Sequence, residues 1–216
     1  MGGSIEQGSL RARAPAGLHL IETMRWEPGQ GVALLLGHMA RLAEGCAALG
    51  INCDMWRVEQ MIDAVTGAEP LRLRLTVGLD GSADLTQAPL PAPKPMWRVG
   101  LARERVASDD PFRRIKSSER GLYDRARADL PKGLDELVFL NERDDIVEGT
   151  ITNLFLWQDN ALLTPPVSAG ALPGVLRADL LRTGRAREAR LTWDDIMDGR
   201  IYMGNALRGL LPALVV

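Results

Sequence analysis

The chain has 216 residues, 46% apolar and 25% charged, enough for one large or two small domains around a real core. Its 26 basic and 28 acidic side chains nearly cancel and are interleaved, which leaves no electrostatic footprint for nucleic acid. Two histidines, His19 and His38, are too few for a His-based metal site; Cys46 and Cys53 make no disulfide framework and fit a reducing, cytoplasmic setting.

In chain order, Met1-Gly2-Gly3-Ser4-Ile5-Glu6 has no charged-then-apolar signal peptide pattern, and Glu6 stands where a myristoylation signal wants a hydroxyl residue. The longest aliphatic run, residues 32–36, is far too short for a bilayer, so no membrane partner is expected. Residues 18–26 alternate and contain β-formers, residues 27–31 form a turn, and residues 32–36 read as a second strand of a hairpin. Met39, Leu42, Cys46 and Leu49 recur at helical spacing up to a stop at Gly50, and residues 58–65 are a further short helix. The alternation Leu71-Arg72-Leu73-Arg74-Leu75-Thr76-Val77 predicts a strand ended by Asp80-Gly81. Pro89, Pro91, Pro93 and Pro95 fall at every second position, so residues 87–95 are expected to be an extended linker.

The second half opens with a strand over 97–106. A helix is predicted over 118–130, with Ser118 as N-cap, followed by a four-strand meander over 137–164. Gly170-Ala171-Leu172-Pro173-Gly174 is a sharp turn feeding a helix over 175–183; residues 194–197 and 201–203 supply a last helical turn and strand. The class is mixed α+β: an N-terminal domain over 1–88, a proline-rich linker over 89–95 and a C-terminal domain over 96–216.

Three places can carry chemistry. The turn at 170–174 brings backbone close to a ligand and opens a helix whose first N–H groups are unpaired, a ready anion site, although an ordinary helix start has the same text. Lys116 lies between a strand and a helix; a catalytic lysine needs neutral amine, and Arg113, Arg114 and Arg120 are neighbouring cations that could favour it. Glu148 is a carboxylate between apolar strands, costly without a partner such as a pyridinium nitrogen; the bland alternative is a strand end reaching solvent at Gly149.

The ordered set of fragments resembles the class IV aminotransferases, the fold type IV pyridoxal 5′-phosphate (PLP) enzymes. It comprises Glu22-Thr23-Met24-Arg25, His38-Met39-Ala40-Arg41-Leu42, Lys116 through Ala126, and Glu148-Gly149-Thr150-Ile151-Thr152-Asn153-Leu154-Phe155. Thr164-Pro165-Pro166, Gly170 to Arg177 and Gly204-Asn205-Ala206-Leu207-Arg208-Gly209 complete it. The resemblance implies a smaller N-terminal α/β domain, a larger β-rich C-terminal domain and a homodimer acting on a small-molecule amino substrate. It implies that Lys116 bonds the cofactor and moves the substrate's α-proton, and that Glu148 faces the pyridine nitrogen. Arg41 and the backbone N–H groups of Val175 and Leu176 would reach the phosphate, Thr152 and Asn153 would line the cofactor wall, and His38 would be a structural partner. Three departures stand out: Ala16-Gly17-Leu18-His19-Leu20 replaces the usual Gly-Asp-Gly before Glu22, Ala206 replaces a hydroxyl residue, and Val77 replaces an arginine.

Among members, the short chain and the Asn205 to Gly209 ending resemble 4-amino-4-deoxychorismate lyase, which releases pyruvate and 4-aminobenzoate for folate synthesis. A branched-chain or D-amino-acid aminotransferase uses the same parts, and a PLP-binding member without turnover is a third possibility.

Overall fold

Period-two burial builds the first half. In the computed structural model, which describes residues 10–216, β1 (His19–Glu27) turns Leu20, Glu22, Met24 and Trp26 to one buried face. It pairs antiparallel with β3 (Leu71–Gly78), and β3 pairs with β4 (Ala83–Pro89). With the two-residue β2 (Gly31–Val32) the sheet has the order β2-β1-β3-β4. Helix α1 (Leu35–Leu49) buries His38, Leu42, Gly45, Cys46 and Leu49 and ends where Gly50 takes a left-handed φ of 59°. An added Cβ on Gly45 would lie 3.1 Å from the Leu20 methyls, so glycine lets α1 settle closely on β1. Helix α2 (Met55–Asp63) starts at Asp54, whose carboxylate accepts the Arg57 N–H at 3.0 Å.

The second half is an eight-stranded mixed sheet in the order β10-β9-β8-β11-β12-β5-β6-β7. Its strands are β5 (Trp97–Val106), β6 (Glu136–Asn141), β7 (Ile146–Gly149), β8 (Asn153–Gln158), β9 (Ala161–Thr164), β10 (Ala186–Glu188), β11 (Arg200–Asn205) and β12 (Gly209–Val215). Both faces are covered: Val138 and Leu140 of β6 join one core with Leu154, Leu156 and Met203, while Leu137 and Phe139 join another beside Leu122 and Tyr123 of α3 (Gly121–Ala128). A third cluster sets Phe155 and Leu162 against Leu180 of α4 (Val175–Arg182). Strands buried on both faces lose the apolar–polar alternation, which is why β6 reads as a continuous apolar run. Helix α5 (Trp193–Met197) begins with a capping box between Thr192 and Asp195.

The chain divides into two compact units, one running to Pro91 and including Ile115–Glu119, the other comprising Ala92–Arg114 and Arg120–Val216. No helix among the described residues is long and apolar enough to cross a membrane, and no group of three or more His, Cys, Asp or Glu side chains among them could hold a metal ion. Met1 to Glu6 lie outside the described residues.

Several expectations are corrected. The strand expected over 32–36 is reduced to Val32, because Leu34 takes a left-handed φ of 56° and α1 begins at Leu35. Residues 87–89 belong to β4 instead of a linker; β4 is an edge strand, the place in a sheet where a proline such as Pro89 is tolerated. The helix expected from Ser118 begins at Gly121, because residues 116–118 pair with β1 and the Ser118 hydroxyl accepts the His19 N–H at 3.1 Å. Strands β10 and β12 were not anticipated; Pro212 hides β12, and the pairing of β12 with β5 starts only after it, at Ala213.

Candidate active site

In the first unit a carboxylate sits inside the sheet–helix core. Glu22 is 2% exposed on the face of β1 that meets α1, so it must be paired. Its Oε2 receives His38 Nδ1 at 2.6 Å, and the Arg41 guanidinium donates side-on through Nε to Oε1 at 2.8 Å and Nη2 to Oε2 at 2.6 Å. Burial pushes the Glu22 carboxyl up, but the hydrogen bond from His38 and the charge and bonds of Arg41 outweigh it, leaving it below its ordinary value. His38 and Arg41 lie three residues apart on one face of α1, so one helix presents both to one acid. A carboxylate only accepts, so His38 Nδ1 carries the proton; its Nε2 is buried without a partner among the described residues.

The Lys116 segment is strapped to the same strand. The Lys116 carbonyl accepts the Ile21 N–H at 2.9 Å, and Ser118 N–H donates to His19 O at 2.8 Å. This fixes the backbone of Lys116 beside the residue preceding Glu22. The lysine is partly buried.

In the second unit Glu148, only 5% exposed at the end of β7, is held by at least four donors. Oε1 accepts the Tyr123 hydroxyl at 2.7 Å and Arg113 Nη2 at 3.3 Å; Oε2 accepts Leu172 N–H at 3.0 Å and Asn153 Nδ2 at 3.2 Å. Only the ionised acid offers acceptors to all of them. This overturns the reading of Glu148 as a strand end reaching water. Arg113 also donates to Tyr123 Oη, donates through Nε to Gly170 O at 2.8 Å and stacks 5.0 Å from the Tyr123 ring centre. Burial, then the Glu148 charge, pushes the Tyr123 phenol well above its ordinary range, against the opposing effect of Arg113, so Tyr123 remains a donor.

The turn before α4 is built around the same acid. Asn153 Nδ2 also donates to Leu172 O at 3.0 Å, and a Cβ on Gly174 would fall 2.0 Å from Asn153 Oδ1. The ladder of α4 starts with Ala178 N–H on Gly174 O at 2.8 Å, so Val175 and Leu176 have their N–H groups ahead of it. Arg177 is 3% exposed and clamps Pro165 O and Glu188. Thr152 directs its hydroxyl to Glu136 Oε2 at 3.1 Å.

Lys116, Arg41 and His38 thus fall in one unit, and Glu148, Thr152, Asn153, Val175 and Leu176 in the other. Of the cations near Lys116 in sequence, Arg113 is engaged by Glu148, Arg120 bonds Asp124 and Thr150 O, and Arg114 is exposed. Sequence reasoning missed the roles of Glu22, Tyr123 and Glu136. Glu22 did carry a signal, an acid at the inward parity between Leu20 and Met24; Tyr123, in a mostly polar helix, carried none.

The strand-rich mixed fold is that of the PLP-dependent enzymes of fold type IV; one unit holds a buried, donor-clamped carboxylate, and the other holds an acid-held arginine and a lysine whose backbone is strapped to β1. Residues 19–216 match the amino-transferase class IV family, and the chain belongs to it. A solved structure from Mesorhizobium loti assigned as an amino-acid aminotransferase is 42% identical, superposes with a TM-score of 0.88 and is matched over 92% of this chain and 100% of its own. A Methanocaldococcus jannaschii protein assigned as a branched-chain-amino-acid aminotransferase is 28% identical over 82% of this chain and 69% of its own length. A Schizosaccharomyces pombe protein assigned as an aminodeoxychorismate lyase is 24% identical over 85% and 84%. The chain is an enzyme that uses PLP on small-molecule substrates.

Proposed function

We propose that this enzyme is a 4-amino-4-deoxychorismate lyase, with Lys116 as the residue that bonds PLP. PLP, when bound, supplies an electron sink for charge developing at the substrate carbon that bears the amine. The residues present fit that group. Glu148 is an ionised carboxylate of fixed orientation, suited to a protonated ring nitrogen. Arg41, held side-on by Glu22, and the N–H groups of Val175 and Leu176 suit a phosphate. Lys116 Nζ would take the proton from the amine-bearing carbon; the C–O bond at the adjacent ring carbon would break, the departing enolpyruvate would take up that proton to become pyruvate, and aromatic 4-aminobenzoate would remain, with no oxidant required. Asn153 acts behind Glu148 in this reading, orienting the acid, while Thr152 bonds Glu136. A homodimer is proposed with it.

The observation that carries the PLP roles is the buried, four-donor seat of Glu148. The lyase assignment rests on the Asn205 to Gly209 motif, which resembles that of the lyases, and is supported by the match to the lyase relative over 84% of its length. The 42% identity to the Mesorhizobium loti protein assigned as an amino-acid aminotransferase favours transamination as the second reading. Holoenzyme supplied with 4-amino-4-deoxychorismate should release fluorescent 4-aminobenzoate and equimolar pyruvate. Absence of both, with pyridoxamine phosphate accumulating from an amino acid alone, would establish the second reading instead.

A further inference from the structure

The seat of Glu148 contains an element that holding an acid in place does not require. Leu172 N–H and Asn153 already fix Oε2, and Tyr123 already donates to Oε1; Arg113 adds a full positive charge with its side chain only 9% exposed. That charge is itself fixed by Gly170 O, by the Tyr123 hydroxyl and by the Tyr123 ring. Two further acids near this end of β7 have cations of their own. Glu136 accepts from Thr150, Ile151 and Thr152 with Arg127 Nη1 at 3.6 Å, and Arg120 pairs with Asp124 at 2.7 Å. Asn153 and Leu172 contribute neutral dipoles only. Arg113 thus sets a buried, fixed positive charge 3.3 Å from Glu148 Oε1.

We propose that Arg113, with Tyr123 bridging it to the acid, is a positioning residue that acts as a buried counter-charge to Glu148 and weakens the hold of Glu148 on the proton of the PLP ring nitrogen. This rests on the proposed meeting of Glu148 with that nitrogen. A lone buried carboxylate would keep the nitrogen protonated across the whole neutral range; sharing its charge with a cation in contact lowers the pH at which that proton leaves. A less firmly protonated ring is a weaker electron sink, so Arg113 sets how much charge the cofactor draws from the substrate.

The test is the ¹⁵N chemical shift of the ring nitrogen in holoenzyme loaded with ¹⁵N-labelled PLP, followed from pH 6 to 10 in wild type, Arg113→Met, Arg113→Lys, Tyr123→Phe and Glu148→Gln. Arg113→Met should retain the ring proton to higher pH by about one unit or more, the size expected for removing a contacting charge. Tyr123→Phe should shift the same way by less, and Arg113→Lys, which keeps the charge, should stay near wild type. Glu148→Gln should lose the protonated signal throughout. Coincident titrations of wild type, Arg113→Met and Tyr123→Phe, with Glu148→Gln altered, overturn the inference alone. A Glu148→Gln titration identical to wild type overturns the Glu148 role and the inference with it. Should Arg113→Met not fold, the near-isosteric Tyr123→Phe decides.

Discussion

Glu136 has none of its surface in water, yet it is an acid at the head of β6. Its oxygens accept the Thr150 hydroxyl, the Leu137 and Ile151 N–H groups at 3.1 and 3.2 Å, and the Thr152 hydroxyl at 3.1 Å. A Cβ at Gly149 would sit 2.8 Å from Glu136 Cγ, so glycine makes the room the acid fills. The motif from Glu148 to Asn153 is thus two interleaved sets: Glu148 and Asn153 serve the candidate site, and Gly149, Thr150 and Thr152 serve Glu136. Replacing Glu136 with Gln sets an amide N–H₂ against donors, and by the usual cost of breaking a buried charged network should destabilise the protein by about 3 kcal/mol. Urea unfolding measures it, and a loss below about 1 kcal/mol would mean the network contributes little. Gly174→Ala should act through Asn153, weakening PLP binding by about tenfold, the effect of one lost hydrogen bond. The double variant with Asn153→Ala should bind PLP no worse than Asn153→Ala alone, because both remove the same contact; additive losses in a fluorescence titration would refute that path. Glu148 was legible as an acid among apolar strands. Tyr123 was not, since a phenol at helical spacing looks the same whether it meets an acid or merely packs on Phe139, whose ring centre lies 4.8 Å away.

At the scale of elements, local rules located the strands with clean alternation and failed where pairing decided. β3 announced itself through Leu71 to Val77; β12 did not, because Pro212 in a short segment argues against a strand unless its neighbours are known. The segment carrying Lys116 is the most telling case. Ser118 has the chemistry of an N-cap, but its hydroxyl and N–H are both spent on His19, 99 residues away, and no local pattern reports such a bond. This strap gives a prediction. Ser118→Pro removes the N–H donated to His19 O and the hydroxyl that accepts from His19, so it should release residues 116–118 from β1 at a cost of about 2 kcal/mol. Hydrogen exchange would read it directly: the Ile21 amide, bonded to Lys116 O, should lose protection while β6 amides remain as in wild type. Unchanged protection at Ile21 would show that the strap is held by something other than these bonds.

For the whole molecule, acid and alkaline stability report different groups, and the signs separate them. The Glu22 carboxyl lies below its ordinary 4.5, and hydrogen bonds from the Ser108 hydroxyl and N–H hold Glu142 down at about 2. Each contributes stability that is full above 4.5 and lost as pH falls through its lowered value, so unfolding should become easier below about pH 4.5. Burial, reinforced by the neighbouring Cys53, pushes the Cys46 thiol from 9.0 up to about 12. A raised value works the other way: its contribution is full below 9 and is lost as pH climbs toward 12. Tyr123 adds a second alkaline loss beginning above its ordinary 10. Urea midpoints should therefore form a plateau bounded by an acid edge and a two-stage alkaline edge. Cys46→Ala should flatten the stage that begins near 9, and Tyr123→Phe the one above 10, each leaving the acid edge in place. The same burial that makes Cys46 titrate late keeps it a thiol at neutral pH, so it should also react slowly with alkylating reagents in the folded protein. Rapid labelling of Cys46 at pH 8 with the fold intact would contradict both consequences at once, because a thiolate available to reagent at that pH has not been pushed up.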